Sequence, residues 1–485
     1  MSHRVTLIPG DGVGPEITEA TRRVIEATGV AIEWEEALAG EAVFKAGNSS
    51  GVPQETADSI ARTGVALKGP LATPIGFGEK SANVTLRKLF ETYANLRPAR
   101  QIPGVPTRYD GEGIDFIVVR ENIEDLYAGV EYMDSRDVAV ALKIITRRGS
   151  EKIIRYAFEL ARREGRKKVT CATKSNILKL SEGLFQRVFD EMAPEYPDIE
   201  PQHLIIDNVA HQMAKDPAQF DVIVTTNLAG DIISDLASGL VGGLGFASSG
   251  NFGDDVAIFE AVHGSAPKYA GKNVINPTAL ILSSVLMLKH LDEPEAAQAV
   301  QDAVFVTLEE GKAVTLDVAR QVGNVEASAS TSGFADNVID NFGRKPTAAY
   351  ATKAQPPASA PTPLPRWEPR PVDPPDTQLL GVDIYTEMDG DPQPVGQALD
   401  EAAGPEFKLL LMSARGTVVY PSGNPHTDTV GWWRCRFVAA EDGATVDDAA
   451  ILRLLARVGE RMTWAHVQKL RVIEGETGFT KAQGQ

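Results

Sequence analysis

The chain has 485 residues, enough for more than one domain, and its 43% hydrophobic and 24% charged content is that of a globular protein with a sizeable core. A formal net charge of −18 argues against a partner held through nucleic-acid phosphates, and two distant cysteines, Cys171 and Cys435, exclude a disulfide framework and have no metal-ligand spacing. No apolar run is long enough for a membrane span or a signal peptide, so a cytoplasmic protein is expected by default.

Val5–Ile8 reads as a short buried strand, Pro9–Glu16 as a turn and Ile17–Ala27 as an amphipathic helix. The glycines of that turn, Gly10, Gly12 and Gly14 followed by Pro15, miss the dinucleotide fingerprint because the third is misplaced; a tight turn opening a helix explains them. Val65–Pro70 is another short strand. It leads into a glycine-rich loop and then a helix that Ser81 is placed to cap, with Arg97-Pro98 leaving it. Asp115–Arg120 is a strand ending in a cation. Arg87, Arg97 and Arg120 therefore stand at element ends, and three planar forks suit a substrate with several carboxylates. Scattered surface salt bridges are the plain alternative for any one of them.

Tyr127 follows in Glu124-Asp-Leu-Tyr127-Ala-Gly129 and is a proton donor if a nearby cation lowers its pKa; as a lone tyrosine it also reads as a half-buried aromatic. Residues 132–146 alternate as a small hairpin outside the main sheet would. Gly149–Arg163 is a helix, and Lys168–Asn176 a strand that brings Lys174 to its carboxyl end, where open α/β sheets gather their ligands. Leu204–Asp207 repeats that pattern with an aspartate.

The apolar strand Phe220–Thr225 runs into Asn227-Leu-Ala-Gly-Asp231-Ile-Ile-Ser-Asp235-Leu-Ala-Ser-Gly239, read as a turn and a helix. One helical turn separates Asp231 from Asp235, so both carboxylates leave the same face and repel. A divalent cation reverses that repulsion, and hard cations such as Mg²⁺ and Mn²⁺ prefer carboxylate oxygen. Acids meeting a helix dipole are the bland alternative. Asp207 is available as a third carboxylate. Further on, His263, Lys268 and Tyr269 lie in a Gly/Pro-bounded loop suited to an adenine nucleotide, a lysine pairing with phosphate and an aromatic covering ribose or base. Thr278–Leu291 is a strongly apolar helix. Residues 356–375 hold nine prolines and form a semi-rigid linker. Strands over Thr377–Met388, Phe407–Tyr420 and Trp432–Val438 and a helix over Val446–Arg457 make a small α+β module without a chemical motif.

Five separate motifs over residues 1 to about 345 resemble the β-decarboxylating dehydrogenases, most closely the NADP-dependent isocitrate dehydrogenases. The resemblance implies an α/β, isocitrate/isopropylmalate dehydrogenase-like (non-Rossmann) catalytic region of large and small domains over residues 1–350, with a clasp arm at about 128–147. A proline-rich linker at 351–375 and an α+β module at 376–485 follow, the module resembling an extension found in a subset of bacterial members. It implies isocitrate bound by Arg87, Arg97 and Arg120 at its α- and β-carboxylates and by Ser81 and Asn83 at its γ-carboxylate. Tyr127 and Lys174 match the catalytic pair, and Asp207, Asp231 and Asp235 match the ligands of Mg²⁺ or Mn²⁺. Thr73, Glu260, His263, Gly264, Lys268, Tyr269, Asn276 and Arg320 match positions around NADP. Lys268 favours NADP over NAD because a cation attracts a 2′-phosphate where an acid repels it; Leu316, where some NADP enzymes have a tyrosine, departs from the pattern. Lys174 and Asp207 are expected to reach into a second copy of the chain, in a homodimer with shared active sites and neither nucleic-acid nor membrane partner. The sister reactions on homoisocitrate or isopropylmalate, and a non-catalytic regulatory protein on the same scaffold, are the rival readings. Isopropylmalate has an apolar tail that Ser81 and Asn83 serve poorly.

Overall fold

A computed structural model describes residues 2–72, 81–348, 350–351, 368, 374–423 and 426–483. It divides into two compact units, Met1–Ala128 with Lys143–Glu368, and Gly129–Leu142 with Pro369–Gln485.

The first unit is built on one ten-stranded sheet. Its strands are β1 (His3–Ile8), β2 (Ile32–Glu36), β3 (Val65–Lys68), β4 (Ala94–Arg100) and β5 (Asp115–Glu121), then, after the hairpin β6 (Glu131–Met133) and β7 (Ala139–Ala141), β8 (Lys168–Thr173), β9 (Glu200–Ile205), β10 (Val222–Thr225), β11 (Ser248–Phe252) and β12 (Ala257–Ala261). The spatial order is β2-β1-β3-β12-β11-β4-β5-β10-β8-β9. Parallel pairing holds β2, β1, β3 and β12 together, and likewise β5, β10, β8 and β9. Antiparallel β11 and β4 join the two blocks. This is not the strand order of a doubly wound dinucleotide sheet, in keeping with the failed glycine fingerprint. The apolar runs that announced β1, β3, β5 and β10 are buried throughout, as strands covered by helices on both faces must be. At Gly10, with φ +80°, a Cβ would stand 2.5 Å from the carbonyl oxygen of Pro70, so the glycine serves a close approach of two loops.

Several expected boundaries move. The helix after Ser81 spans Ala82–Leu89, and Ser81 makes no capping bond through its side chain. Arg97-Pro98 does not leave that helix but lies inside β4. Pro98 is tolerated there because β11 pairs with β4 only at Ala94–Leu96, so the side lacking an N–H has no ladder to complete. Asp207 is not on a strand; it occupies the first turn of the helix Ile206–Lys215. Short parallel β13 (Val314–Thr315) and β14 (Ser328–Ala329) complete this unit.

The second unit is an antiparallel sheet of β15 (Thr377–Glu387), β16 (Phe407–Ala414), β17 (Thr417–Tyr420), β18 (Trp432–Ala439), β19 (Thr463–Ile473) and β20 (Glu476–Thr477), ordered β17-β16-β18-β15-β19-β20. Helices Pro392–Ala403 and Asp448–Gly459 bury Val395, Leu399, Ile451 and Leu454 in a core with Val382, Ile384, Trp433, Cys435 and Phe437 of the sheet. The β-α-β-β-α-β order with β16-β18-β15-β19 at its centre is a ferredoxin-like arrangement. The hairpin of β6 and β7, assigned from sequence to the catalytic region, belongs to this second unit. Its Asp134 is 4% exposed and meets Nδ1 of His466 at 2.8 Å, while the Trp432 indole donates to it at 3.1 Å. Among the described residues no helix is long and apolar enough to cross a membrane.

Candidate active site

Strand alternation builds the floor of the site. In β4 the side chains of Asn95 and Arg97 share a face, and so do Ser249 and Asn251 in β11. The register sets Asn251 opposite Asn95, Ser249 opposite Glu260, and Asn95 opposite Arg120. A polar strip therefore crosses the face of the sheet from Glu260 to Arg120. Asn95 Nδ2 donates to Ser249 Oγ (2.8 Å) and Asn251 Oδ1 (2.9 Å), Asn251 Nδ2 donates to Glu260 Oε1 (2.8 Å), and Arg97 Nε donates to Asn95 Oδ1 (2.7 Å). The strip adjoins the carboxyl ends to which strand-end logic points: Lys68 closes β3, Arg120 is next to last in β5, and the helix of Asp231 and Asp235 follows β10. Asn95-x-Arg97 and Ser249-x-Asn251, polar residues at period two inside buried strands, were the signal that sequence reading passed over.

Three helical segments close over this strip. From Ala82–Leu89 come Asn83 and Arg87; from the 3₁₀ turn Leu126–Ala128 comes Tyr127; from Asn227–Leu240 come Asp231 and Asp235. A Cβ at Gly230 would sit 2.6 Å from Arg120 Cγ, so the glycine lets the aspartate helix lie directly on that arginine. Arg120, 1% exposed, pairs through Nη1 with Asp231 and donates from Nε and Nη2 to Asn227 Oδ1 at 3.1 and 2.8 Å. Arg97 Nη1 reaches Asp231 at 3.2 Å, Asp235 at 3.5 Å and Ser234 Oγ at 2.7 Å. The Tyr127 hydroxyl donates to Asp231 Oδ2 at 2.6 Å, and the Arg120 guanidinium lies 4.9 Å from its ring centre.

Burial opposes ionisation of Asp231, but Arg120, the Tyr127 hydrogen bond and Arg97 outweigh it and hold its pKa below the ordinary value. Asp235 shifts the other way: burial raises its pKa and Arg97 only partly offsets that. Tyr127 corrects the expectation that a cation lowers its pKa. Burial, reinforced by the bond to Asp231, raises it against the pull of Arg120, so the phenol keeps its proton.

Glu260, placed by sequence beside a cofactor, is turned inward. It pairs with the fully buried Lys68 and, at 3.2 Å, with Arg87 Nη2. Burial works against its charge, yet Lys68 and Arg87 drive its pKa far below the carboxylate range. Lys68 was missed from sequence, although a lysine closing the apolar run Val65-Ala-Leu was its signal. These groups border a cavity of about 90 Å³ lined by Lys68, Asn83, Arg87, Arg97, Glu260 and His263 among others. Three buried atoms there have no hydrogen-bond partner among the described residues: Asn83 Oδ1, Arg87 Nε and His263 Nε2. Burial lowers the pKa of His263, and Nδ1 lies 3.0 Å from the Gly264 carbonyl oxygen, which only accepts; Nε2 is therefore left as an acceptor. Half a turn of the Asn83 amide offers NH₂ in place of oxygen. Buried groups left unpaired in this way are costly unless a ligand completes them.

Other expected residues stand apart. Lys174 and Asp207 pair with each other at 2.6 Å, Asp207 being 70% exposed and its pKa lowered by that hydrogen bond. Asp231 and Asp235 supply the oxygen-only donors a hard divalent cation takes, but among the described residues no group of three metal-ligating side chains converges. Within one chain the cation set is therefore a fitting but incomplete pair. Lys268 and Tyr269 are exposed in the turn Pro267–Tyr269, with Lys268 Nζ 4.9 Å from the ring centre. Asn276 is buried, its amide donating to Asp317 Oδ2 at 3.1 Å, and Arg320 is exposed on the helix Leu316–Gln321. Gly264 is exposed; Ser81 is half-buried at the start of its helix; Thr73 lies outside the described residues.

Residues 4–338 match the isocitrate/isopropylmalate dehydrogenase family, and residues 377–485 match the C-terminal domain of bacterial isocitrate dehydrogenase. The chain is 55% identical to an isocitrate dehydrogenase [NADP] of Thermus thermophilus over 99% of this chain and 96% of that one. It is 37% identical to an isocitrate dehydrogenase [NADP] of Rickettsia bellii over 99% of both. A solved structure from Thermus thermophilus superposes with a TM-score of 0.93 at 54% identity, covering 99% of this chain and 96% of that one.

Proposed function

The chain belongs to the isocitrate/isopropylmalate dehydrogenase family, and from that premise we propose that it oxidises isocitrate to 2-oxoglutarate and CO₂ with reduction of NADP. The observation that carries the reading is the cavity lined by Arg87 and Arg97, whose unpaired Arg87 Nε, Asn83 Oδ1 and His263 Nε2 call for a small polar ligand and whose arginines favour an anionic one. Its full-length relatives named as NADP enzymes share both the catalytic region and the C-terminal module.

In this reading the three arginines hold the α- and β-carboxylates, while Ser81 and Asn83 meet the γ-carboxylate. Asp231 and Asp235 hold a divalent cation, Mg²⁺ or Mn²⁺, with Asp207 of a second copy as third ligand. A cation held there would supply Lewis-acid polarisation of the substrate's hydroxyl and carboxylate oxygens, and a bound nicotinamide would supply the hydride acceptor. His263, Gly264, Lys268, Tyr269, Asn276 and Arg320 would hold the cofactor, with Thr73 expected among them from sequence alone, while Glu260 acts through Lys68 and Arg87. Tyr127, kept protonated by burial and aligned by Asp231, delivers its proton to the carbon that loses CO₂. Lys174 comes from the second copy. Ile177, Leu178 and Leu180 beside Lys174, and Ile232 beside Asp231, are exposed in the single chain, which supports a dimer burying both regions. The domain reading that goes with it is a catalytic region over 1–350 without the hairpin of β6 and β7, which groups with a C-terminal module over 376–485, and a linker at 351–375.

Reduced-nicotinamide absorbance with isocitrate, Mg²⁺ or Mn²⁺ and either NADP⁺ or NAD⁺ tests this directly. The expected result is metal-dependent NADPH formation with isocitrate in preference to homoisocitrate and isopropylmalate. A preference for a sister acid would move the substrate, and silence with every pair would remove the enzymatic reading. Lys268→Asp with Tyr269→Ile should shift kcat/KM toward NAD⁺ about tenfold, the scale of one lost phosphate contact; an unchanged ratio would remove these residues from cofactor choice.

A further inference from the structure

We infer that Asp125, Lys143 and Glu182 are positioning residues, a buried acid–base–acid triad that fixes the Tyr127 turn, the start of the Asp231 helix and the Lys174 turn to one another. This rests on the reading of Tyr127 and Lys174 as the catalytic pair.

Lys143 Nζ stands 2.6 Å from Asp125 Oδ1 and 2.7 Å from Glu182 Oε1. The two acids are almost wholly buried and Lys143 is 18% exposed, so water contributes little to balancing these charges. Each acid also holds backbone. Asp125 accepts from the Leu126 N–H at 2.7 Å, at the entry to the Leu126–Ala128 turn, and from the Leu228 N–H at 3.0 Å, in the first turn of the helix of Asp231 and Asp235. Glu182 accepts from the Lys174 N–H at 3.0 Å and from the Thr226 hydroxyl at 3.2 Å. Asp125 itself has φ +65°, a left-handed conformation that a non-glycine residue keeps only when its surroundings impose it. Its own N–H donates to the Ile144 carbonyl at 2.8 Å, next to Lys143.

One ammonium thus bridges the loop of the proton donor to the loop of the lysine. With Tyr127 serving its own chain's site and Lys174 a partner's, the triad links the two sites of a dimer through a rigid, charged joint.

The test uses Glu182→Gln, which removes one charge and keeps the shape, with Lys143→Arg as the conservative variant. Hydrogen–deuterium exchange is read at the amides of residues 126–128 and 174–176, alongside kcat and KM. Glu182 touches the Lys174 turn and not the Tyr127 turn, so a local role predicts faster exchange at 174–176 alone. The triad predicts faster exchange in both segments of a folded protein, with kcat lower by about tenfold or more and KM for isocitrate within about threefold. Lys143→Arg should hold both near wild-type values. Wild-type exchange at 126–128 in folded Glu182→Gln, or KM and kcat falling together with thermal stability, would overturn the proposal. If Glu182→Gln fails to fold, Lys143→Met with Glu182→Gln, which leaves a single carboxylate, is read in its place against the same outcomes. A wild-type enzyme that does not oxidise isocitrate would undo the catalytic reading instead, and the exchange pattern would still decide the coupling.

Discussion

Two arginines, one in each unit, are 1% exposed and paired with an aspartate, and they do different work. Arg436 in the ferredoxin-like unit donates from Nε and Nη2 to the two oxygens of Asp383, both at 2.8 Å, beneath the ring of Phe479 at 4.8 Å. Asp383 is as closed to water as its partner, though neighbouring Arg434 leaves one Nη unpaired. Arg120 in the first unit is just as buried, but its Asp231 is 34% exposed and shared with Tyr127 and with Arg97, which itself lines a cavity that holds unpaired atoms. A buried ion pair does not by itself mark a functional site. Spare bonding capacity of several kinds around one opening does.

The largest effect should come from breaking the closed pair. Asp383→Ala takes the paired carboxylate away from a buried arginine, which costs about 3–5 kcal/mol, whereas replacing both residues with apolar ones of similar volume costs far less. Chemical denaturation followed by the tryptophans of β18 reads this. Equal losses for single and double variants would show that Asp383 is held by something other than Arg436.

At the open pair the cost should appear in catalysis. Asp231→Asn should lower kcat at least about 10²-fold with the unfolding transition near its wild-type position. An enzyme with near-normal kcat would remove Asp231 from the reaction. Mixing tests the proposed division of labour between Asp231 of one chain and the Lys174–Asp207 pair of a second copy. Asp231→Asn and Lys174→Met chains, each inactive, should recover about a quarter of wild-type rate on subunit exchange, because half the dimers then carry one intact site of two. No recovery in demonstrably mixed dimers would place each site within one chain.

Asp231 and Asp235 were legible in sequence because an apolar strand followed by carboxylates one turn apart is a local pattern. Arg87, Arg97 and Arg120 were legible as a set of carboxylate-binding forks, but their acidic partners were not, since Glu260 and Asp231 reach them from more than a hundred residues away. Pro98 hid the strand carrying Arg97, because its missing N–H costs nothing only where β11 has already ended. Lys68 and Glu260 each looked ordinary alone; their meaning lies in a contact across 192 positions, as the numbers 68 and 260 state. In the C-terminal unit Thr377–Met388 and Trp432–Val438 were visible as strands, Phe407–Tyr420 was read as one strand where there are two, and β19 and β20 were not read at all, while the helix Pro392–Ala403 was obscured by its prolines and glycine. Asp134 of the hairpin gave no sign that it would find Trp432 and His466.

A further test concerns a third kind of buried acid, one that meets no cation among the described residues. Glu121 follows Arg120 on β5, is 3% exposed, and among the described residues accepts from backbone N–H groups, those of Ile123 at 2.7 Å and Glu124 at 3.0 Å. Burial raises its pKa from 4.5 to about 7, with those amides opposing. In the folded chain it therefore keeps its proton to a higher pH than in the unfolded chain. The stability this contributes is complete below about pH 4.5, declines between 4.5 and 7, and is gone above that window. Glu121→Gln, which has no proton to lose, should escape this decline, so wild-type stability relative to the variant should fall as pH rises through the window and then level off. Denaturation midpoints of both proteins at pH 5, 6, 7 and 8 read the difference. Parallel curves would mean that the amides alone satisfy the carboxylate, and that at this position a buried charge needs neither the closed partner of Arg436 nor the open one of Arg120.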